Sequence, residues 1–421
     1  MEDNVKTLIK NGWVIDPAQK INQRADIIIS GSEVVKVYTS ESPCQSDYDD
    51  VIDAEGYLIT PGFIDLHVHL REPGLPHKET IYTGSRACAK GGFTTVACMA
   101  NTNPVIDTVK HLNQLKTIIN RDSVIDIKPI AAITLGLEGK KLTDHDALLK
   151  EHVFALSDDG KTTMDDTLMR MAFKTSHQKS IPIITHSEDH DITSQYKDTV
   201  YPIEAEYKIV ERDIALCEAE DGILHVAHVS GKKAISYIRD AKKRGLKVTC
   251  EVAPHHFALN DQMIDVLDPM SKVNPPIRSE EEQLAVIEAI KDETIDIIAT
   301  DHAPHEIESK QKSYGQASYG ISGIETAFAV AYTHLVKKSH ITLYKLIEMM
   351  TIKPAQIGQF EKIGTLKPGC EANLVLIDLE KPWVIDRHAF LSKGKNSPFH
   401  QMSVYGEVAM TLYRGKKVYQ K

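Results

Sequence analysis

The stretch Phe63-Ile64-Asp65-Leu66-His67-Val68-His69 joins a short apolar run to two histidines at its end. A run of this length and composition predicts a buried β-strand. Successive side chains of a strand point to opposite faces, so His67 and His69 project to the same side. An isolated His-x-His pair is most often two ordinary histidines, so its meaning depends on what the rest of the chain brings beside it.

Seven similar apolar runs follow, separated by segments in which apolar residues recur at helical spacing, as in Val210, Ile214 and Cys217. The eight runs lie at 63–67, 94–98, 125–133, 153–156, 181–185, 223–227, 247–252 and 295–299. Eight strand–helix alternations predict an α/β fold of the (β/α)8 TIM-type barrel class. An open doubly wound sheet produces the same alternation and is the alternative.

Polar residues at the ends of six of these runs favour the barrel. They are His67, His69, Asp158, Asp159, His186, His228, His255, His256, Asp301 and His302. The C-terminal ends of barrel strands converge on one mouth, where the active sites of this fold lie. An open sheet would spread these positions along a line, so they could not share one site.

Both ends of the chain are rich in short strand-like runs broken by Asn-Gly, Gly-Ser and Arg-Gly turns. This pattern predicts a small β-domain assembled from both termini. The predicted domains are residues 1–58 together with 365–421 for the β-domain, and 59–364 for the barrel.

The composition bounds the class of protein. The chain has 421 residues, of which 42% are hydrophobic and 26% charged, with a net charge of −10. The apolar content argues against disorder, and the acidic balance argues against nucleic acid as the main partner. We expect a cytoplasmic protein, because the N-terminus lacks signal-peptide features, no apolar stretch reaches the ~20 residues of a membrane span, and the cysteines form no CxxC pair. They are Cys44, Cys88, Cys98, Cys217, Cys250 and Cys370.

The histidines and carboxylates at the strand ends predict a divalent metal site, since imidazole nitrogens suit zinc and related ions. Asp301 has two candidate roles there: a metal ligand, or a general acid/base beside a water whose pKa the metal lowers to about 7. The competing structural role for Asp301 is a helix N-cap after strand eight.

Arg71 follows two residues after His69, where its guanidinium could bind a carboxylate in bidentate fashion. Its structural alternative is an ion pair with Glu72 or Glu79. Asn101 offers amide donors at the end of strand two, with a turn before Pro104 as its alternative.

Five motifs occur together along this chain: PGFIDLHVHLREPG at 61–74, GGFTT at 91–95, VAPHH at 252–256, NPP at 274–276 and ATDHAPH at 299–305. Together they resemble the dihydroorotases of the amidohydrolase superfamily, and the resemblance covers essentially the whole chain. It implies a (β/α)8 barrel that binds Zn²⁺, two ions per subunit, with a single ion as the alternative.

The resemblance also implies the ligands. One metal would use His67, His69 and Asp301, and a second would use His186 and His228. Many superfamily members bridge their metals with a carboxylated lysine, but no lysine lies between His152 and Gly160. The pattern is similar to the bacterial type in which an aspartate bridges, here Asp159, with Asp158 as the alternative.

The implied reaction is the reversible cyclisation of N-carbamoyl-L-aspartate to L-dihydroorotate in de novo pyrimidine biosynthesis. A metal-bound hydroxide would be the nucleophile in the hydrolytic direction and Asp301 the general acid/base. Substrate contacts carried over by position are His69, Arg71, Asn101, Asn274, His305, Tyr319 and Gly320.

Two rival functions follow from the same motifs. One is another cyclic amidohydrolase, of the allantoinase or dihydropyrimidinase type, and the other is a catalytically dead scaffold. The sequence leaves the oligomeric state open, with a homodimer as one candidate. The polar segment 306–318 is either a lid over the site or a plain solvated loop.

Overall fold

The computed structural model describes residues 5–40 and 47–421. Within them the strands, numbered in chain order, are β1 (Lys6–Asp16), β2 (Ile21–Ser30), β3 (Glu33–Tyr38), β4 (Asp50–Asp53), β5 (Leu58–Pro61), β6 (Phe63–Val68), β7 (Phe93–Cys98), β8 (Asp126–Pro129), β9 (Leu156–Ser157), β10 (Ile183–Thr185), β11 (Leu224–Val226), β12 (Val248–Val252), β13 (Ile297–Ile298), β14 (Leu374–Asp378), β15 (Trp383–Val384), β16 (Ser403–Val404), β17 (Glu407–Tyr413) and β18 (Lys416–Gln420).

The α-helices of the same residues are α1 (Ile81–Lys90), α2 (Val109–Asp122), α3 (His145–Lys150), α4 (Asp166–Lys179), α5 (His190–Thr193), α6 (Glu204–Glu220), α7 (Lys232–Lys243), α8 (Pro254–Ala258), α9 (Glu280–Lys291), α10 (Ile307–Lys310), α11 (Ala327–Ala331), α12 (Leu343–Met350) and α13 (Ile352–Ile357). A π-helical turn, Tyr332–Val336, continues α11. Short 3-10 helices lie at Pro17–Gln19, Leu135–Leu137, Pro269–Ser271, Tyr314–Gln316, Ile324–Thr326 and Arg387–Ala389.

Strands β6 to β13 form a (β/α)8 barrel. Strands β6, β7 and β8 pair in parallel, and so do β9 to β13. Parallel bridges join Ala131 to Leu156 and Val68 to His302, connecting the two sheets on both sides into one ring. Each of the eight predicted runs overlaps one of these strands. The barrel prediction is therefore confirmed, and the alternative prediction of an open doubly wound sheet was wrong.

Most residues of the barrel strands are apolar, because both faces of these strands are covered. Ile64, Leu66, Met99, Ile130 and Ile184 belong to the cluster of buried side chains inside the barrel. A larger cluster fills the space between the strands and the outer helices, with Phe63, Phe93, Phe173 and Phe328 among its largest members. Burial on both faces explains why the runs lack the alternation of half-exposed strands.

A second sheet combines strands from both ends of the chain, in the order β18-β17-β14-β5-β1-β2-β3, with β4 paired to β1. It has its own buried core, which includes Ile9, Ile27, Ile29, Leu374 and Leu412. The terminal β-domain is therefore present as predicted. Its exact limits, 1–58 and 365–421, stay a prediction.

The five cysteines within the described residues are free and buried, as expected of reduced thiols, whereas Cys44 lies outside those residues. The start of the chain at Met1–Asn4, which bore on the signal-peptide prediction, lies outside them too. Among the described residues, none of the helices combines the length and the apolar character that a membrane span requires.

Candidate metal centre

The strand ends of the barrel bring His67, His69, Asp159 and Asp301 into one buried cluster. His67 Nε2 lies 3.4 Å from Asp159 Oδ1 and 3.6 Å from Asp301 Oδ1. His69 Nε2 lies 3.2 Å from Asp301 Oδ1 and 3.4 Å from Asp159 Oδ2. Two imidazole nitrogens thus face two carboxylates, a donor set that suits a divalent cation.

A second pair of histidines lies on the other side of Asp159. His186 Nδ1 and His228 Nε2 are each 3.5 Å from Asp159 Oδ1, and 2.9 Å from each other. Asp159 therefore lies between two pairs of imidazoles. A carboxylate in that position can reach two cations at once.

The unpaired atoms of the cluster fit a metal. Donor atoms of His67, His69 and Asp301 lie within 4.8 Å of one another, and so do those of His67, Asp159 and His228. His67 Nε2 and Asp159 Oδ1 are buried without a hydrogen-bond partner. Buried polar atoms are nearly always paired, so these two point to ligands that only a bound group would complete.

Asp158 faces away from this cluster. One of its carboxylate oxygens accepts from the backbone nitrogens of Ile133 and Thr134 at 2.8 and 3.0 Å, and the other accepts from the Thr134 and Thr163 hydroxyls at 2.6 and 2.7 Å. These four hydrogen bonds occupy the carboxylate. Of the two adjacent aspartates, the geometry favours Asp159 as the bridging residue.

Three polar side chains behind the cluster orient its histidines. His67 Nδ1 donates to Glu251 at 2.6 Å, and His69 Nδ1 donates to the Asn101 amide oxygen at 2.9 Å. His186 instead uses Nε2, which donates to Glu188 at 2.9 Å. Such partners fix which ring nitrogen faces the cluster, here Nε2 for His67 and His69 and Nδ1 for His186.

Glu251 and Glu188 were missed from the sequence. Glu188 stands two residues after His186, a local signal that could have indicated it. Glu251 gave no such signal, because it is 184 residues from His67 and meets it only across the barrel.

The electrostatics of the cluster favour charged carboxylates. Burial alone would raise the pKa of Asp301, but its contact with His69 and the nearby His67 hold that pKa below its usual range. Burial opposes ionisation of Glu251 as well, yet contacts with His67 and His225 lower its pKa to about 2. Negative charge concentrated among imidazoles attracts a cation.

Arg71 lies at the edge of the cluster and is 8% exposed. Its Nε donates to the Pro304 carbonyl at 3.1 Å, and its Nη2 lies 3.1 Å from His305 Nε2. Burial lowers its pKa to about 10, so the guanidinium stays charged at neutral pH. Among the described residues no carboxylate forms an ion pair with it.

The carboxylates considered as alternative partners of Arg71 are used elsewhere. Glu72 accepts from the backbone nitrogen of Ile81 at the start of α1. Glu79 accepts from the Ser392 hydroxyl and the Lys393 backbone. The guanidinium is therefore left to bind something else.

The remaining candidate substrate residues line the same mouth. His305 Nε2 lies 2.7 Å from the Tyr319 carbonyl oxygen. Asn274 Nδ2 donates to Glu188 at 2.7 Å and lies 3.1 Å from His186 Nε2, and its oxygen accepts from the Tyr201 hydroxyl. Asn274 thus lies in the network that holds His186, which the sequence did not indicate.

The backbone is strained at the site. Arg71, His228 and Asp301 adopt positive φ angles of 64°, 34° and 47°. Non-glycine residues rarely adopt this region, and such strain concentrates at functional sites. Asp301 caps no helix, because the next one, α10, begins at Ile307 with Glu306 as its N-cap. The N-cap alternative for Asp301 was wrong.

Comparison with known proteins identifies the family. The model of the amidohydrolase family matches residues 58–418. The chain belongs to the amidohydrolase family. This enzyme is 42% identical to a dihydroorotase of Bacillus subtilis, over 98% of both chains, and 41% identical to a dihydroorotase of Elusimicrobium minutum, over 98% of this chain and 97% of that one.

Solved structures of amidohydrolases share the fold. The L-hydantoinase of Arthrobacter aurescens superimposes with a TM-score of 0.91 at 25% identity, covering 100% of this amidohydrolase and 97% of that chain. The dihydropyrimidinase of Brevibacillus agri gives 0.89 at 25% identity, over 99% and 95%. The barrel and the terminal β-sheet are therefore those of cyclic amide hydrolases.

Proposed function

We propose that this amidohydrolase is a zinc-dependent dihydroorotase that interconverts N-carbamoyl-L-aspartate and L-dihydroorotate in pyrimidine biosynthesis. The observation that carries the proposal is Arg71, a buried cation beside the histidine–aspartate cluster with no ion-pair partner in the described part of the chain. A buried charge is costly unless it is paired, so the site is built to receive an anion. Dihydroorotate carries a carboxylate on its ring.

In the proposed enzyme, two zinc ions would share the metal ligands. His67, His69 and Asp301 would hold one, His186 and His228 would hold the other, and Asp159 would bridge them. When bound, the ions would polarise the amide carbonyl and activate water. An aspartate in the bridging position is consistent with the lack of a lysine at the end of β9.

The protein residues then account for binding and proton transfer. Arg71 would bind the ring carboxylate, and His305 and the Asn101 amide nitrogen would complete that pocket. Asp301, held as a carboxylate, would accept a proton in the hydrolytic direction and deliver it to the ring nitrogen. Cyclisation reverses the same transfer. Asn274 and the backbone of Tyr319 and Gly320 would contact the ring.

The rival activity is that of the hydantoinases and dihydropyrimidinases whose fold this enzyme shares. Dihydropyrimidinase substrates lack the ring carboxylate, so they would leave Arg71 without an anion in direct contact. The identity to dihydroorotases, 42% against 25% for those structures, supports the same choice.

A side-by-side assay with dihydroorotate and dihydrouracil, with and without a chelator, tests the proposal. We expect turnover of dihydroorotate that the chelator abolishes and zinc restores. Turnover of dihydrouracil alone would overturn the substrate assignment, and chelator-insensitive activity would overturn the metal. Metal analysis of the purified protein separates an enzyme from a dead scaffold, which should hold no stoichiometric zinc.

A further inference from the structure

Two lysines beside the site are buried without a carboxylate partner. Lys272 is 2% exposed and Lys310 is 1% exposed. Within residues 5–40 and 47–421, neither forms an ion pair with a carboxylate. Burial lowers the pKa of both, that of Lys310 to about 7. Burying an ammonium is costly unless hydrogen bonds replace its lost hydration, so the contacts of each lysine are what make its burial possible.

Lys310 ties three backbone segments together. Its Nζ donates to the carbonyl oxygens of Lys272, Ser318 and Gly320, at 3.2, 2.9 and 3.0 Å. In its protonated form the Lys310 side chain has three N–H groups, one for each of these bonds. The residue lies at the end of α10, and its acceptors lie at the end of the same loop and on the facing segment before Asn274.

Lys272 makes the reciprocal connection. Its Nζ donates to the carbonyl oxygens of Tyr314 and Ala317, at 2.6 and 2.9 Å, and lies 4.1 Å from the centroid of the Tyr319 ring. Its own carbonyl accepts from the backbone nitrogen of Gly320 at 2.9 Å. The two lysines therefore fasten the loop 306–320 internally and to the segment before Asn274.

The fastened loop ends at the substrate side of the site. Tyr319 presents its carbonyl to His305, which contacts Arg71. Gly320 packs against Ala303 so closely that an added Cβ would lie 2.6 Å from the Ala303 carbonyl oxygen. A shift of the loop would therefore move the groups proposed to hold the substrate.

We propose that Lys272 and Lys310 are positioning residues, which hold the loop 306–320 as a fixed wall of the substrate pocket. The proposal rests on the proposed function for its effect on substrate binding. The fastening itself does not depend on which substrate binds. The loop then does not open as a lid in each catalytic cycle, and its backbone is preorganised for the ring.

The test is Lys310→Met, which keeps the length of the side chain and removes its three donors. Lys312→Met is the matched control, because Lys312 lies exposed in the same loop. Amide hydrogen exchange is measured across 306–320 in the zinc-loaded enzyme, together with KM, kcat and zinc content. In Lys310→Met we expect exchange in the loop to rise by about tenfold or more.

We also expect the KM for dihydroorotate to rise about tenfold while kcat changes less than about threefold and zinc content is unchanged. A merely structural residue would not separate KM from kcat in this way. Exchange and KM equal to those of Lys312→Met would overturn the proposal. If Lys310→Met does not fold, Lys272→Met is measured in the same way, since it removes the other two bonds of the loop.

The two proposals fail separately. Absence of dihydroorotate turnover in the unmodified enzyme would count against the proposed function and leave the exchange result to decide on the fastening. Normal turnover with an unprotected loop in the unmodified enzyme would overturn the fastening alone.

Discussion

His67 Nδ1 and Glu251 Oε1 lie 2.6 Å apart inside the barrel, in side chains that are 0% and 1% exposed. The other oxygen of Glu251 accepts from His225 Nε2 at 3.0 Å, and His225 Nδ1 lies 2.8 Å from the Thr249 hydroxyl. His225 thus orients the Glu251 carboxylate through one oxygen, and the other oxygen of Glu251 orients His67. The ring of His67 is fixed with Nε2 towards Asp159 and Asp301.

Replacing Glu251 by glutamine should weaken metal binding. The amide keeps the shape of the side chain but removes the charge that orients His67 and makes its ring a better ligand. Loss of such a partner typically costs about 10- to 100-fold in metal affinity. Titration of the apo-enzyme with zinc against a competing chelator measures the change.

The control for that substitution is Glu281→Gln, since Glu281 is an exposed residue that pairs with Lys232 on the surface. It should bind zinc like the unmodified enzyme. Equal affinities for the two variants would mean that Glu251 has a packing role only.

Substitutions of the two adjacent aspartates should have opposite phenotypes. Asp159→Asn should lose zinc, because Asp159 is the carboxylate shared by both histidine pairs. Asp158→Asn should keep zinc but lower thermal stability, because its four acceptor contacts are structural and an amide can satisfy only some of them. Zinc content and melting temperature, measured together for the two variants, decide which aspartate is the bridging residue. The reverse pattern would make Asp158 the bridge.

The sequence predicted the barrel well and the surroundings of the candidate metal centre poorly. Strand ends could be located because apolar runs stop at His67, His186 and His228, and a closed ring forces those ends together. Which of Asp158 and Asp159 faces inward depends on the Ile133–Thr134 segment of a neighbouring strand end. No pattern along the chain encodes that contact.

The partners behind the histidines show the same limit. Glu251 meets His67 from β12, a contact that depends on barrel register, whereas Glu188 lies only two residues after His186 in the loop after β10. Asn274 was predicted only as a substrate contact, yet its amide also donates to Glu188. A residue that serves both purposes is not distinguishable by its position in a motif.

Gly320→Ala tests the close approach of the loop to the barrel. Gly320 has a φ of 124°, and its added Cβ would lie 2.6 Å from both the Cβ and the carbonyl oxygen of Ala303. We expect a loss of about 1–3 kcal/mol in the free energy of unfolding, measured by denaturant titration.

Gly369→Ala separates backbone strain from that collision. Gly369 also has a positive φ, of 82°, but nothing lies within 4 Å of an added Cβ. It should cost only the strain, about 1 kcal/mol. A cost for Gly320→Ala no larger than for Gly369→Ala would show that the loop can move away from Ala303 freely.

Arg71→Ala tests the substrate assignment itself. Removing the cation should reduce kcat/KM for dihydroorotate by about 100-fold, equivalent to about 3 kcal/mol of lost binding to a charged group. Zinc content should be unchanged, because Arg71 contacts Pro304 and His305 and none of the proposed ligands. Arg71→Lys keeps the charge without the bidentate geometry, so it should recover only part of the loss.

The pH dependence sharpens this experiment. With a pKa of about 10, Arg71 is protonated throughout the range from about pH 6 to pH 8. The ratio of kcat/KM between the unmodified enzyme and Arg71→Ala should therefore stay constant across this range. Near-normal activity of Arg71→Ala towards dihydroorotate would exclude a role in binding the carboxylate. A ratio that changes steeply with pH would show that the substitution disturbs a titrating group of the metal cluster instead, because the charge of Arg71 itself does not change there.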